Sequence, residues 1–213
     1  MKSFATLAFD RDRLMADFAA LETLLAGKEH LKERDQIIPF FQDRQHLCAA
    51  LGLTNSSMEL PDLWARELDL FGDFVCDLAA GDSEANAFTL IELEPALEYS
   101  IFTKLQRGKS MKRWSRRFEH GFSQLVDWAW RISAEGESSA AFRRIFGDNN
   151  PAIHLLLIVG RDSDLGKDDL TRLRWRANHT SLGQFKMSCF TFDGILKSIR
   201  RRLSLAAQPT GRL

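Results

Sequence analysis

The residues of this sequence best suited to catalysis or metal binding are three acidic side chains. Two lie at the end of one predicted strand, and the third lies in the predicted strand before it. Residues 88–94 (Phe-Thr-Leu-Ile-Glu-Leu-Glu) have a strand pattern, so Glu92 and Glu94 project from one face, about 7 Å apart along the chain. Asp77 lies among apolar neighbours in the preceding predicted strand, residues 74–79. An Asp and a Glu on neighbouring strands can converge on one hard divalent cation, and oxygen ligands favour Mg²⁺ or Mn²⁺ over zinc.

The alternative for the two glutamates is that they lie beyond the core and simply face water, as acids at the end of a strand commonly do. Asp77 does not fit this explanation, because an unpaired carboxylate among apolar residues is costly. We therefore expect Asp77 and Glu92 to bind the metal ion.

A strongly basic segment follows the second acidic strand. Of its fourteen positions seven are basic and none is acidic, the basic residues being Lys104, Arg107, Lys109, Lys112, Arg113, Arg116 and Arg117. Taking these seven from the 29 basic residues leaves 22 against 29 acidic residues, so the rest of the chain has a net charge of −7. We expect all of these side chains except that of Arg107 to contact the phosphates of a nucleic acid. The alternative is a solvated basic loop that binds nothing.

The other reactive residue types show no catalytic or metal-binding spacing. The five histidines form no HxH or HxxH pair, and no glycine-rich phosphate loop occurs. Cys48, Cys76 and Cys189 are odd in number and widely spaced, so we expect neither disulfides nor a structural zinc site. His120 precedes Gln124 by one helical turn and could line a cleft or be a structural residue of the helix face.

Apolar periodicity predicts a mixed α/β sheet flanked by helices. The predicted helices cover residues 14–27, 39–51, 63–68, 114–132 and 168–176, and a last helix follows its expected cap, Asp193. The predicted strands cover residues 74–79, 88–94, 153–159 and 184–192, with a turn at residues 80–83. Three tryptophans at helical spacing, Trp114, Trp128 and Trp130, are expected in the core.

Composition places the chain among globular proteins, with 213 residues of which 45% are hydrophobic and 27% are charged. We expect a helical N-terminal extension (residues 1–55), an α/β domain (residues 56–207) and a flexible tail (residues 208–213). No apolar stretch approaches the roughly 20 residues of a membrane helix, and residues 1–10 lack the apolar core of a signal peptide. We therefore expect a soluble protein of the reducing cytoplasm.

Several of these segments carry a family resemblance. Asp77, then Glu92 fifteen residues later, then Glu94 two residues further, resembles the acidic signature of the PD-(D/E)XK nuclease superfamily. More narrowly, the chain is similar to the nuclease domain of the Shedu anti-phage defence proteins. The similar segments are the first acidic strand (residues 70–78), the second acidic strand (residues 88–94) and a Gln-containing helix (residues 120–128). The resemblance covers about residues 60–203.

The resemblance implies a Mg²⁺- or Mn²⁺-dependent DNA endonuclease or nickase that forms a homo-oligomer. Asp77, Glu92, Glu94 and Gln124 would be its catalytic residues, with Asp77 and Glu92 as metal ligands. One departure is that Glu94 stands where most members have lysine. Glu94 could act as the base, as in some restriction enzymes of the superfamily, or Lys104 could reach in from the following segment. A third reading is a catalytically inactive protein that binds nucleic acid or assembles with partners.

Overall fold

Apolar runs of strand length build the centre of the molecule. In residues 3–147 and 150–206, which the computed structural model describes (of Leu205 and Ala206 the backbone alone), seven strands form one sheet. The strands are β1 (Ala5–Thr6), β2 (Leu63–Leu70), β3 (Phe74–Asp82), β4 (Ala87–Leu93), β5 (Ala152–Ile158), β6 (Ser181–Leu182) and β7 (Phe185–Phe190). Their order in the sheet is β1-β2-β3-β4-β5-β7-β6. The pairs β4–β5 and β5–β7 are parallel and the other pairs are antiparallel, which makes the sheet mixed.

Helices cover both faces of this sheet. They are α1 (Arg11–Gly27), α2 (Ile38–Phe41), α3 (Gln45–Leu51), α4 (Arg116–Glu135), α5 (Ala140–Phe146), α6 (Lys167–His179) and α7 (Phe192–Ala206), with a π-helix (Glu33–Ile37) directly before α2. Helices α4, α5 and α6 pack on one face, where Phe118, Leu125 and Trp128 share a cluster with Leu90 and Leu157. Helices α1, α3 and α7 pack on the other face, against a cluster that includes Leu78, Ile91 and Leu156. The predicted fold class, a mixed α/β sheet flanked by helices, is confirmed.

The N-terminal helices belong to the second of these layers. Leu14 and Phe18 of α1 and Leu47 of α3 are buried in the same cluster as Ile91 of β4. The division of the chain at residue 55 stays a prediction, and the predicted tail (residues 208–213) lies outside the described residues. No helix in the described ranges is both long enough and apolar enough to cross a membrane.

Two predictions about the antiparallel part of the sheet are wrong. Residues 63–68 form strand β2 and not a helix, because pairing with β3 outweighs the helix preference of Ala65, Arg66 and Glu67. The turn predicted at residues 80–83 lies later, at residues 83–86, and β3 continues to Asp82. Gly81 is needed for packing within the strand, because a Cβ atom there would lie 3.0 Å from the Phe88 ring.

Some helix ends also differ from the prediction. The helix predicted over residues 39–51 is interrupted between Phe41 and Gln45, and α5 was not predicted. Thr191, not Asp193, caps α7: its Oγ1 accepts a hydrogen bond from Gly194 N at 2.9 Å. Asp193 lies one step inside the helix, where its carboxylate accepts two hydrogen bonds from the buried guanidinium of Arg161, at 2.9 and 3.1 Å.

Only one of the three tryptophans expected in the core is fully buried. Trp128 is 0% exposed and Trp114 is half-buried, whereas Trp130 is 64% exposed. Two residues correspond to about 200° around an α-helix, so Trp130 faces away from the layer that Trp128 fills.

Candidate functional site

The first site residue, Asp77, lies where the pairing between strands β2 and β3 is interrupted. The ladder pairs Arg66 with Leu78 and then Leu68 with Cys76, and between these pairs Glu67 adopts a positive φ of 51°. This break changes the alternation of faces, because Leu78 packs in the α1 layer whereas Cys76 packs in the α4 layer.

Beyond the break, β3 separates from β4. Their ladder ends at the pair Leu78–Ile91, and the Asp77 carboxylate accepts a hydrogen bond from the backbone N–H of Leu93 at 2.8 Å. The side chain thus replaces a backbone acceptor, which holds Asp77 in the opening between the two strands.

Glu92 and Gln124 meet across the layer between β4 and α4. Glu92 lies on the same face of β4 as Leu90, and the whole residue is 6% exposed. Helix α4 begins at its cap Ser115, whose Oγ accepts a hydrogen bond from Phe118 N at 3.0 Å, and its apolar stripe packs on that face. This packing turns Gln124 toward the strand, where its side chain forms a hydrogen bond with the Glu92 carboxyl group.

Glu94 is joined to His120 of the same helix. The Glu94 side chain is 1% exposed and the His120 side chain is 64% exposed, and His120 Nδ1 lies 2.8 Å from Glu94 Oε1. Helix α4 comes this close because residue 121 is glycine. A Cβ atom on Gly121 would lie 2.8 Å from Glu94 Cγ and 2.7 Å from Leu157 Cδ1.

The three carboxyl groups have raised pKa values. Burial, together with the nearby charges of Asp77 and Glu94, raises the pKa of Glu92 to about 10. Burial raises the pKa of Asp77 to about 6, although the hydrogen bond from Leu93 acts in the opposite direction. Burial also raises the pKa of Glu94. Without a bound cation, Glu92 therefore keeps its proton at neutral pH.

A cavity of about 340 Å³ opens onto Asp77, Glu92, Gln124 and His120. The other charged residues that line it are Glu33 and Arg34 of the π-helix and Arg66 and Glu67 of β2. Sequence reasoning missed these residues, since their segments have no spacing that links them to the acidic strands. Lys104 is exposed and does not line the cavity.

Three side chains at and beside the cavity have buried oxygen atoms of the type that hard cations bind, and two of them, Glu92 and Gln124, line the cavity. Glu92 Oε2, Glu94 Oε2 and Gln124 Oε1 are buried and have no hydrogen-bond partner among the residues described. A buried polar atom without a partner costs about 1–3 kcal/mol, and an ion is one of the explanations that such atoms call for. Within the described ranges, however, no three His, Cys, Asp or Glu side chains are already grouped as a metal site. The donor set fits Mg²⁺ or Mn²⁺, completed by water.

The basic segment forms a loop that is closed at its base. Thr103 N donates a hydrogen bond to Arg113 O at 2.8 Å, and Phe102 pairs with Trp114 in an isolated β-bridge. We call residues 103–113 the basic hairpin. Its exposed side chains include Lys104, Leu105, Arg107, Lys109, Met111 and Arg113.

Lys112 and the arginines after the basic hairpin have different surroundings. Lys112 Nζ forms an ion pair with Asp169 of α6 at 2.6 Å, so this predicted phosphate contact already has an acidic partner. Arg116 and Arg117 are exposed in the first turn of α4. The charge of Arg117 acts to lower the pKa of Glu94, although burial raises it.

All three cysteines are free and buried, and burial raises the pKa of each thiol.

No curated protein sequence matches this chain. The family model described as "Shedu protein SduA, C-terminal" matches residues 30–196, more than half of the chain. The matched range includes Asp77, Glu92, Glu94 and Gln124 and confirms the resemblance to the Shedu proteins. The chain therefore belongs to the Shedu family and contains its SduA C-terminal region.

Proposed function

We propose that this Shedu protein is a Mg²⁺- or Mn²⁺-dependent DNA endonuclease or nickase that acts in anti-phage defence. Family membership indicates the role in Shedu defence. The observation that carries the chemistry is the pair of buried, partnerless oxygen atoms on Glu92 and Gln124, which line one cavity with Asp77. Glu94, two residues from Glu92 on the chain, has a third such atom.

Asp77 and Glu92 are the ligands that would hold the cation, with Gln124 Oε1 as a neutral third donor. Two carboxylates suit Mg²⁺, which usually keeps several of its own waters. When bound, the ion lowers the pKa of a coordinated water and neutralises charge that develops on the phosphate.

His120 and Glu94 supply the general base in this proposal. With its proton on Nδ1, the imidazole donates a hydrogen bond to the buried Glu94 carboxylate and keeps Nε2 free to accept a proton. A carboxylate that orients a histidine in this way is a recurrent arrangement in hydrolases. The His120 side chain is mostly exposed and lines the cavity, so its ring can reach the water that attacks the phosphodiester.

Arg34 and Arg66 take over the phosphate contact that lysine makes in most members of the superfamily. Both line the cavity, and Arg66 is half-buried on β2. A guanidinium can bind two phosphate oxygens at once, so either arginine can hold the scissile phosphate against the carboxylates.

The proposal is tested on supercoiled plasmid with Mg²⁺, Mn²⁺ or EDTA. We expect nicking or linearisation with either cation and none with EDTA. We also expect Asp77→Asn to lose both cleavage and the rise in melting temperature that Mn²⁺ gives the wild type. The control is Asp127→Asn, which changes an exposed aspartate of α4 and should behave like the wild type. An equal Mn²⁺ shift in the wild type and in Asp77→Asn would exclude the metal site.

The basic hairpin would follow the DNA backbone beside the cavity. Each phosphate contact contributes about −0.9 to the slope of log affinity against log salt concentration. Replacing Lys104 and Lys109 with alanine should therefore flatten this slope by up to about 2 units, for all duplex sequences alike. The matched control replaces Arg11 and Lys28, which are equally exposed. An unchanged slope in the hairpin variant would remove this loop from the proposal.

A second function, DNA binding without cleavage, is favoured by Glu94, because an acidic residue with a histidine partner stands where lysine is usual. In that case the wild type binds DNA but does not cut it with either cation, and Glu94→Lys gains activity. If Glu94 orients the base, Glu94→Ala loses cleavage and keeps DNA binding.

We further expect a homo-oligomer, which light scattering on the purified chain measures.

A further inference from the structure

A second surface, formed by α6 and the base of the basic hairpin, has features that the cleavage site does not use. Trp175 of α6 is 63% exposed, an unusual position for the largest apolar side chain. The His179 ring stacks on it in nearly parallel orientation, with 4.7 Å between ring centroids and 15° between the planes. The imidazole covers one face of the indole and leaves the opposite face to solvent.

The half of α6 that carries Trp175 is strongly basic. Residues 172–179 (Arg-Leu-Arg-Trp-Arg-Ala-Asn-His) contain three arginines and no acidic residue. Arg176 is paired with Glu119 through two hydrogen bonds, at 2.7 and 2.9 Å. Within the described ranges, Arg172 and Arg174 form no ion pair with a carboxylate, so their charges remain available to an anion.

Arg172 is held in place by the base of the basic hairpin. Its guanidinium lies 4.8 Å from the Phe102 ring centroid and 5.3 Å from that of Trp114. It also donates a hydrogen bond to Lys112 O at 2.8 Å. These contacts fix one wall of an open groove of about 530 Å³ whose lining residues are Trp114, Arg172, Trp175, Arg176, His179 and Thr180. Because one wall is the base of the basic hairpin, the groove and the hairpin lie next to each other.

We propose that this groove binds single-stranded DNA, with one nucleobase stacked on the free face of Trp175 and a neighbouring phosphate at Arg172. A flat exposed ring beside a cation without an acidic partner matches the alternation of base and phosphate along a single strand. A duplex offers the edges of its bases and not their faces, so it cannot use Trp175 in this way. We infer that the single strand is DNA because the proposed function is that of a DNA nuclease.

The groove would then hold an unpaired strand while the duplex backbone lies along the basic hairpin. Such a contact deepens the proposed function, because it selects DNA that contains a single-stranded segment near the cavity.

The experiment measures the binding of a fluorescein-labelled oligo(dT) to the full chain by anisotropy, in EDTA so that no cleavage occurs. Loss of one stacked base should make Trp175→Ala bind about 5- to 150-fold more weakly. Trp175→Phe keeps an aromatic ring and should retain most of the affinity. A duplex of the same length should bind all variants equally.

Trp130→Ala is the matched control, because Trp130 is 64% exposed against 63% for Trp175 but lies on α4 outside the groove. We expect it to bind oligo(dT) like the wild type. Equal affinity of Trp175→Ala and the wild type, or equal losses in Trp175→Ala and Trp130→Ala, would overturn the proposal. If only the nuclease proposal fails, the plasmid stays intact while oligo(dT) binding still depends on Trp175.

Discussion

The buried Glu92 carboxyl group makes the stability of the metal-free protein depend on pH. Its pKa is about 10 in the folded chain, against an ordinary value of 4.5. Between these values the unfolded chain has released the proton that the folded chain still holds, so rising pH favours unfolding. Each pH unit in this window lowers the free energy of unfolding by up to about 1.4 kcal/mol, which amounts to up to about 4 kcal/mol from pH 5 to pH 8.

Glu92→Gln removes this dependence, because glutamine is neutral at every pH and nearly the same size. We expect the variant to be more stable than the wild type at pH 8 in EDTA and the difference to shrink toward pH 5. Urea unfolding at pH 5, 6, 7 and 8 measures this difference in the free energy of unfolding directly. Glu29→Gln, which changes an exposed glutamate, is the control and should follow the wild type. A constant difference between wild type and Glu92→Gln over this range would refute the reasoning, because Glu92 would then titrate like an exposed residue.

The same proton makes metal binding depend on pH. A cation at Glu92 has to displace the proton, so the affinity for Mn²⁺ should rise with pH, by up to tenfold per unit for one released proton. Isothermal titration calorimetry in buffers of different ionisation enthalpy counts the protons released at pH 7. Affinity that is the same at pH 6 and pH 8 would show that Glu92 is not a ligand.

Three further substitutions test how the site and its scaffold are held. Gly121→Ala should slow plasmid cleavage, because the new Cβ atom would press on Glu94, which orients His120 in the proposed function; unchanged cleavage would mean that the helix yields instead. Arg161→Ala should lower the free energy of unfolding by about 3–5 kcal/mol, because it leaves the partly buried carboxylate of Asp193 without its cation; a loss below about 1 kcal/mol would contradict this. Lys112→Ala should lower stability through the lost ion pair and leave the salt dependence of DNA binding unchanged, and a flatter slope would show that this lysine does contact phosphate.

The parts of the fold that could be predicted are those in which local pattern and tertiary environment agree. Residues 153–159 are apolar except for His154, and this pattern is typical of a strand covered on both faces. Strand β2 could not be predicted this way. Its Ala65, Arg66 and Glu67 favour a helix, and only the pairing with β3 makes them extended.

The candidate site also contains residues that could be predicted from the sequence and residues that could not. Asp77 and Glu92 could be connected from the sequence because strand alternation and the family resemblance point to the same residues. The contact between His120 and Glu94 depends on the exact register of α4 on β4, which Gly121 sets by allowing close approach. Glu33 and Arg66 come from segments far away in the chain, and no local pattern connects them with the acidic strands.

The closed base of the basic hairpin makes this loop a place where the chain can accept insertions. The hydrogen bond between Thr103 and Arg113 and the bridge between Phe102 and Trp114 fix where the loop leaves and rejoins the domain. Insertions between these points lengthen the loop without moving Ser115 or the helix it caps, and each doubling of loop length costs only about 0.6 kcal/mol. A longer loop can therefore present a different basic surface while the residues of the cavity keep their positions.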